Sequence, residues 1–192
     1  VDATNLVMYN CGQPTHAFDL SGITNQELRI TNAEEEIELP VVGRDGIIAK
    51  LVSSDTVITS GEKTLGLAGV KGGRDSGITD ITTDIVLEVA NFDPTAVRKT
   101  ARRLGLLSDS AKRFENDLSP ELCDFAMLEL SALISEMCPD ASFEEIIDVY
   151  PTRDEWKKEN KISFSSDMIS KKIGVSLSSL DIETILKNYH FV

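Results

Sequence analysis

A histidine, a glutamate and a glycine-rich turn are the residues whose types and spacing could do chemistry in this chain. His16 follows Gly12-Gln13-Pro14-Thr15 and precedes Ala17-Phe18-Asp19, so the turn is expected to present its ring on a loop rather than deep in a core. Upstream, Thr4 and Asn5 supply a hydroxyl and an amide able to bind a polar ligand. Leu67-Ala68-Gly69-Val70-Lys71-Gly72-Gly73 reads as a strand running into a glycine turn. There the backbone can approach a ligand closely and leave N–H groups free to donate. A plain β-turn explains the same residues. The stretch is not a P-loop, because the closing Lys-Ser/Thr pair is absent, and no helix start makes it a dinucleotide fingerprint. Glu88 is the lone acid in Ile85-Val86-Leu87-Glu88-Val89, a run that is apolar on both faces. Burying its charge costs several kcal/mol unless it is paired or hydrogen-bonded. That leaves two readings open, a ligand contact and a structural ion pair.

The elements that must position these groups are short strands followed by helices, which implies an α+β fold with mixed or antiparallel sheets. Strands are expected at Leu28–Thr31, Glu36–Leu39, Thr56–Thr59, Leu65–Val70 and Ile85–Val89, separated by turns at Arg44-Asp45-Gly46, Ser60-Gly61 and Gly72-Gly73. Residues 1–27 read as a short apolar element, the Gly-Gln-Pro turn and a second element around Ala17–Leu20. Asp93 as N-cap, Pro94 at the first helical position and Gly105 past the end predict a helix from Pro94 to Leu104. A short helix follows at Asp109–Glu115. Leu122, Phe125, Ala126, Leu130, Leu133, Ile134 and Met137 then recur at helical spacing until Pro139. After Pro151 the polar run TRDEWKKENK reads as a linker, leading to a strand at Ile162–Phe164 and two helices, one ended by Gly174 and one capped by Ser178 and Asp181. The division expected is a domain at 1–150 and the truncated start of a small helical domain at 151–192.

Composition narrows the class. The 192 residues are 41% hydrophobic and 27% charged, an ordinary globular balance. No apolar run approaches a membrane span and no secretion leader opens the chain, which begins as if excised from a longer protein. Three cysteines far apart fit a reducing cytosol better than a disulfide framework, and none has the short spacing of a zinc site. The net charge of −13 argues against a free-standing nucleic-acid binder. Yet from Asp93 to Arg113 six basic residues (Arg98, Lys99, Arg102, Arg103, Lys112 and Arg113) stand against two acidic ones, a local +4 that leaves −17 elsewhere. An acidic body with one basic edge could meet RNA at that edge. A solvated helix face explains the same charges.

In order along the chain, TNLVM, GQPTHAFD, AGVKGG, LEVANFDP, RKTARRLGL and SDSAKRFE resemble the editing domain of the bacterial-type phenylalanyl-tRNA synthetase β subunit over about residues 1–150. The tail from Ile162 is similar to the opening of that subunit's next module. The resemblance implies hydrolysis of tyrosine wrongly attached to phenylalanine tRNA, with His16, Thr4 and Asn5 at the ester and with Glu88, Ala68, Gly69, Ser108 and Ser110 around the amino acid. It implies no metal or cofactor on this piece, with ATP and Mg at a synthetic site in the whole synthetase. It also implies phenylalanine tRNA and an α subunit as partners, an α2β2 assembly, a cytoplasmic location, and no role at membranes or on DNA. A scaffold whose editing has decayed is the competing reading. The chain departs from the family pattern at Ser108-Asp109-Ser110-Ala111, where Thr-Asp-Ala-Ser is usual, at Lys71 in place of methionine, and at Asn116-Asp117 in place of Arg-Gly.

Overall fold

A computed structural model of the chain describes residues 1–33, 37–42, 47–156, 162–189 and 191. They form two compact units, Val1–Phe143 and Glu144–Val192.

The first unit opens on α1 (Asp2–Cys11), the stretch expected only as a short apolar element. Val7 and Met8 are its buried residues, and Gly12 ends it with φ +86°, its N–H donating to the Met8 carbonyl. The strands that follow are β1 (Thr15–Asp19), β2 (Arg29–Asn32), β3 (Glu38–Pro40), β4 (Ile48–Lys50), β5 (Thr56–Ser60), β6 (Lys63–Leu67), β7 (Lys71–Gly72) and β8 (Ile85–Val89). β1 pairs with β8, β3 pairs with β4, and β2, β5, β6 and β7 form a four-stranded sheet in that order. Every pairing among the described residues is antiparallel. The class is α+β, as expected. The expected turn at Arg44-Asp45-Gly46 and residue Glu36 lie outside the described residues. Leu65–Val70, expected as one strand, ends at Leu67 because residues 68–70 turn the chain into β7.

Three helices complete the unit: α2 (Pro94–Leu104), α3 (Asp109–Phe114) and α4 (Leu122–Met137). The Asp93 carboxylate accepts from Ala96 N–H and Gly105 closes α2 with φ +68°, the caps its sequence called for. Val97, Thr100 and Ala101 face inward. Val97 and Ala101 join a core of Leu39, Val41, Leu51, Val57, Leu67, Val70, Ala111 and Phe114. Asp55, only 1% exposed, ties α2 to the sheet. It accepts from Val52 N–H at 2.9 Å, from the Thr100 hydroxyl at 2.7 Å and from the Arg103 guanidinium. A second cluster gathers Phe18, Ile23, Ile58, Leu65 and Ala68, and a third packs Val7 of α1 on Ala126 and Leu130 of α4. Cys11 and Cys123 are half-buried and Cys138 is exposed, all as thiols.

In the second unit, part of the expected linker forms the single turn α5 (Arg153–Trp156), and residues 157–161 lie outside the described residues. Ile162–Phe164 is irregular rather than a strand, since no described strand lies beside it to complete a ladder. α6 (Ser166–Ile173) ends at Gly174 with φ +78°. α7 (Ser179–Asn188) starts on a full capping box between Ser178 and Asp181 and buries Ile182. No helix among the described residues is long and apolar enough to cross a membrane.

Candidate functional site

His16 lies in a strand, contrary to its expected place on a loop. Pro14 is buried and sends the chain into β1, where Ala17 and Phe18 are buried too. In the β1–β8 register His16 stands opposite Glu88. Directly opposed residues of an antiparallel pair project to one face, so the backbone places the two side chains together. Phe18, two residues on, meets the His16 ring edge-on at a centroid distance of 4.5 Å. Gly72 of β7 lies against the ring. A Cβ there would come within 2.9 Å of Cε1 and 3.1 Å of Nε2, so only glycine lets this strand approach.

Neither member of the pair is satisfied. His16 Nε2 is buried without a hydrogen-bond partner among the described residues. Burial lowers the imidazole from its ordinary 6.5, which favours the neutral ring at pH 7. Glu88 is half-buried and makes no hydrogen bond or ion pair among the described residues. Burial pushes its carboxyl up from 4.5 to about 7.

The Ala68-Gly69-Val70 turn is built by close packing. Gly69 has φ +69°, and a Cβ on it would meet Val97, Phe114 and Phe92 at 2.9 to 3.0 Å. Its amide N–H donates to nothing among the described residues. The start of α3 holds the turn from the other side. Ser108 donates to the Val70 carbonyl at 2.7 Å while accepting Ala111 N–H as the N-cap, and Ser110 donates to the Gly69 carbonyl at 3.3 Å. The hydroxyl at 110 therefore lies against the turn itself.

His16, Glu88, the 69–72 turn, Ser108 and Ser110 thus form one connected neighbourhood. Thr4 and Asn5 reach it less directly. The Thr4 hydroxyl turns back to the Val1 carbonyl at 2.7 Å, and its own carbonyl accepts from Thr15, the neighbour of His16, at 3.3 Å. Asn5 is exposed on α1. Sequence reasoning missed Gln13, which is fully buried. Its amide donates to Pro14 O at 3.1 Å and Ala90 O at 2.8 Å, clamping the entry of β1 to the exit of β8. The Gly-Gln-Pro string was legible as a turn, but which carbonyls the glutamine reaches depends on Ala90, far along the chain.

Two cavities open among the described residues. One of about 30 Å³ sits between Ala68, Phe92, Val97 and Thr100, room for about one water. The other, about 300 Å³, opens among Glu38, Glu62, Lys63, Gly73 and Asp75 and touches none of the expected site residues. No three His, Cys, Asp or Glu side chains among the described residues converge as metal ligands would. On the basic edge, Arg103 is engaged by Asp55 and the Lys50 carbonyl, and Arg113 lies over the Tyr9 ring. Arg98 and Lys99 are exposed and make no ion pair among the described residues.

Residues 1–139 match the family model described as the B3/4 domain. The chain is similar to the phenylalanine–tRNA ligase beta subunit of Porphyromonas gingivalis, with 40% identity over 98% of this chain and 22% of that protein. The protein of the same name from Thermotoga maritima is 39% identical over 82% of this chain and 20% of its own length. That from Staphylococcus haemolyticus is 35% identical over 100% of this chain and 23% of its own length. The chain therefore spans between a fifth and a quarter of the length of these relatives.

Proposed function

The chain belongs to the B3/4 domain family, and from that premise we propose that it carries the editing site of a phenylalanine–tRNA ligase β subunit, hydrolysing tyrosine wrongly esterified to phenylalanine tRNA. The observation that carries the reading is the His16–Glu88 pair: two polar groups on one face of a strand pair, the buried His16 Nε2 without a partner and the half-buried Glu88 without a hydrogen bond or ion pair among the described residues. Phenylalanine and tyrosine differ by one hydroxyl. A site that leaves a buried acceptor unpaired with phenylalanine and satisfied with tyrosine discriminates between them strongly. Glu88 accepts the phenolic O–H, and the Gly69 N–H donates to the phenolic oxygen. The ester lies toward His16, whose neutral ring orients the attacking water, with Thr4 and Asn5 ordering the ribose side. Ser108 and Ser110 fix the turn that shapes the amino-acid pocket, beside Ala68.

The reaction uses water and no metal on this piece. In the whole enzyme this subunit pairs with an α subunit as α2β2 in the cytoplasm, and ATP and magnesium serve a synthetic site outside this chain. A second reading, a scaffold with decayed editing, draws on the two cavities, neither of which is lined by His16 or Glu88.

The test uses the intact synthetase and preformed tyrosyl-tRNA of the phenylalanine acceptor. His16→Ala is expected to slow hydrolysis by about 10²- to 10⁴-fold, the span of a positioned proton-transfer group. Glu88→Ala is expected to lose about tenfold to a hundredfold of the preference for the tyrosyl over the phenylalanyl ester. Unchanged hydrolysis in both variants refutes the site, and no hydrolysis by the unmutated enzyme favours the scaffold.

A further inference from the structure

Tyr9 is an aromatic residue of α1 that is open to solvent. Phe18 and Phe114 are buried and Phe92 is half-buried, whereas Tyr9 is 62% exposed. An exposed tyrosine on a helix ordinarily swings freely. This one is pinned. Its hydroxyl donates to Asp109 Oδ2 at 2.8 Å, and the Arg113 guanidinium sits 5.0 Å from the ring centroid. Arg113 is itself held by the Asp109 carbonyl at 3.0 Å. Both pins belong to α3, the helix whose first residues hold the Gly69 turn through Ser108 and Ser110. Tyr9 shares α1 with Thr4 and Asn5. The ring therefore stands on the wall between α1 and α3, with one face under a cation and the remainder toward solvent.

The ester cleaved under the proposed function is attached to a ribose, and the same ribose carries a base that must lie close to the reacting carbonyl. We propose, resting on that reading, that Tyr9 is the stacking platform for the 3′-terminal nucleobase of the RNA, bound on the ring face opposite Arg113. Every base has a π-face, so a fixed, exposed ring binds it without hydrogen-bond readout. Pinning by Asp109 and Arg113 removes the rotational freedom that stacking would otherwise have to freeze.

Steady-state hydrolysis of tyrosyl-tRNA by the intact synthetase tests this. Tyr9→Ala is expected to raise KM about tenfold or more, as loss of a base–aromatic stack does, with kcat within about twofold of wild type if base binding is nearly uniform between ground and transition states. Tyr9→Leu, which keeps apolar bulk and guards against a folding defect in the alanine variant, is expected to behave the same way. Tyr9→Phe keeps the ring and its Arg113 contact and loses one pin, the bond to Asp109, so its KM is expected to rise by only about threefold, well short of the alanine variant. A purely structural strut predicts the opposite, with Tyr9→Phe failing alongside Tyr9→Ala, and that result overturns the platform. So does a wild-type KM in the leucine variant. If His16→Ala and Glu88→Ala both hydrolyse normally, the proposed function fails, and the platform with it. If those two are impaired while all Tyr9 variants are normal, only the platform fails.

Discussion

Asp55, almost wholly buried, and Glu88, half-buried, are two carboxylates set into the same unit, and the protein treats them differently. Asp55 is surrounded by donors: a backbone N–H, the Thr100 hydroxyl and the Arg103 guanidinium. Its desolvation is offset, and it works as a rivet between α2 and the turn before β5. Glu88 has no donor among the described residues, and burial alone lifts its carboxyl to about 7. A half-buried carboxylate left without a protein donor is free to take one from a ligand. Under the proposed function, the contrast separates a residue kept for stability from one kept for binding.

The largest expected effect tests the rivet. Asp55→Ala leaves Arg103 and Thr100 without their acceptor and is expected to cost about 3–5 kcal/mol, the cost of breaking a buried pair from one side. Urea unfolding of the chain measures it, and a loss below about 1 kcal/mol would erase the distinction from Glu88.

Glu88 is expected to impose the opposite pH behaviour from a salt-bridged acid. Its carboxyl is raised on folding, so the folded chain binds the proton more tightly than the unfolded one. Its contribution is fully present below about pH 4.5 and is lost as pH rises through about 7. Stability should therefore fall by about 3 kcal/mol across that window, since each tenfold difference in proton affinity between the folded and unfolded chain is worth about 1.4 kcal/mol. Glu88→Gln should flatten the profile, which thermal unfolding at a series of pH values reads directly. A variant with the wild-type slope would remove Glu88 as the cause.

The smallest effect concerns the turn both regions lean on. Gly69→Ala places a methyl against Val97, Phe114 and Phe92 at a φ of +69°. The expected cost is about 2 kcal/mol, from left-handed strain and overpacking together. A neutral alanine by urea unfolding would show that the three contacts yield freely.

Much of this was legible in the chain itself. Asp93-Pro94 and Gly105 fixed both ends of α2, and Ser178 with Asp181 fixed the start of α7, because capping is a contest among residues three or four apart. Glu88 stood out as an acid with apolar neighbours on both sides. The ordered motifs pointed to the family that residues 1–139 match.

Other features depended on partners distant in sequence. His16 followed a turn and so suggested a loop, but its strand exists only because residues 85–89 arrive to pair with it. Asp2–Cys11 carried too weak an apolar stripe to declare a helix until Ala126 and Leu130 supplied the surface it packs on. Strand pairing, the clamp of Gln13 on Ala90 and the reach of Asp109 to Tyr9 all join residues some 70 to 100 positions apart. Local preferences decide caps and turns because their energies are settled within one helical turn. Which unsatisfied groups end up facing each other is decided by packing, and for His16 and Glu88 only the folded chain could place them on one face.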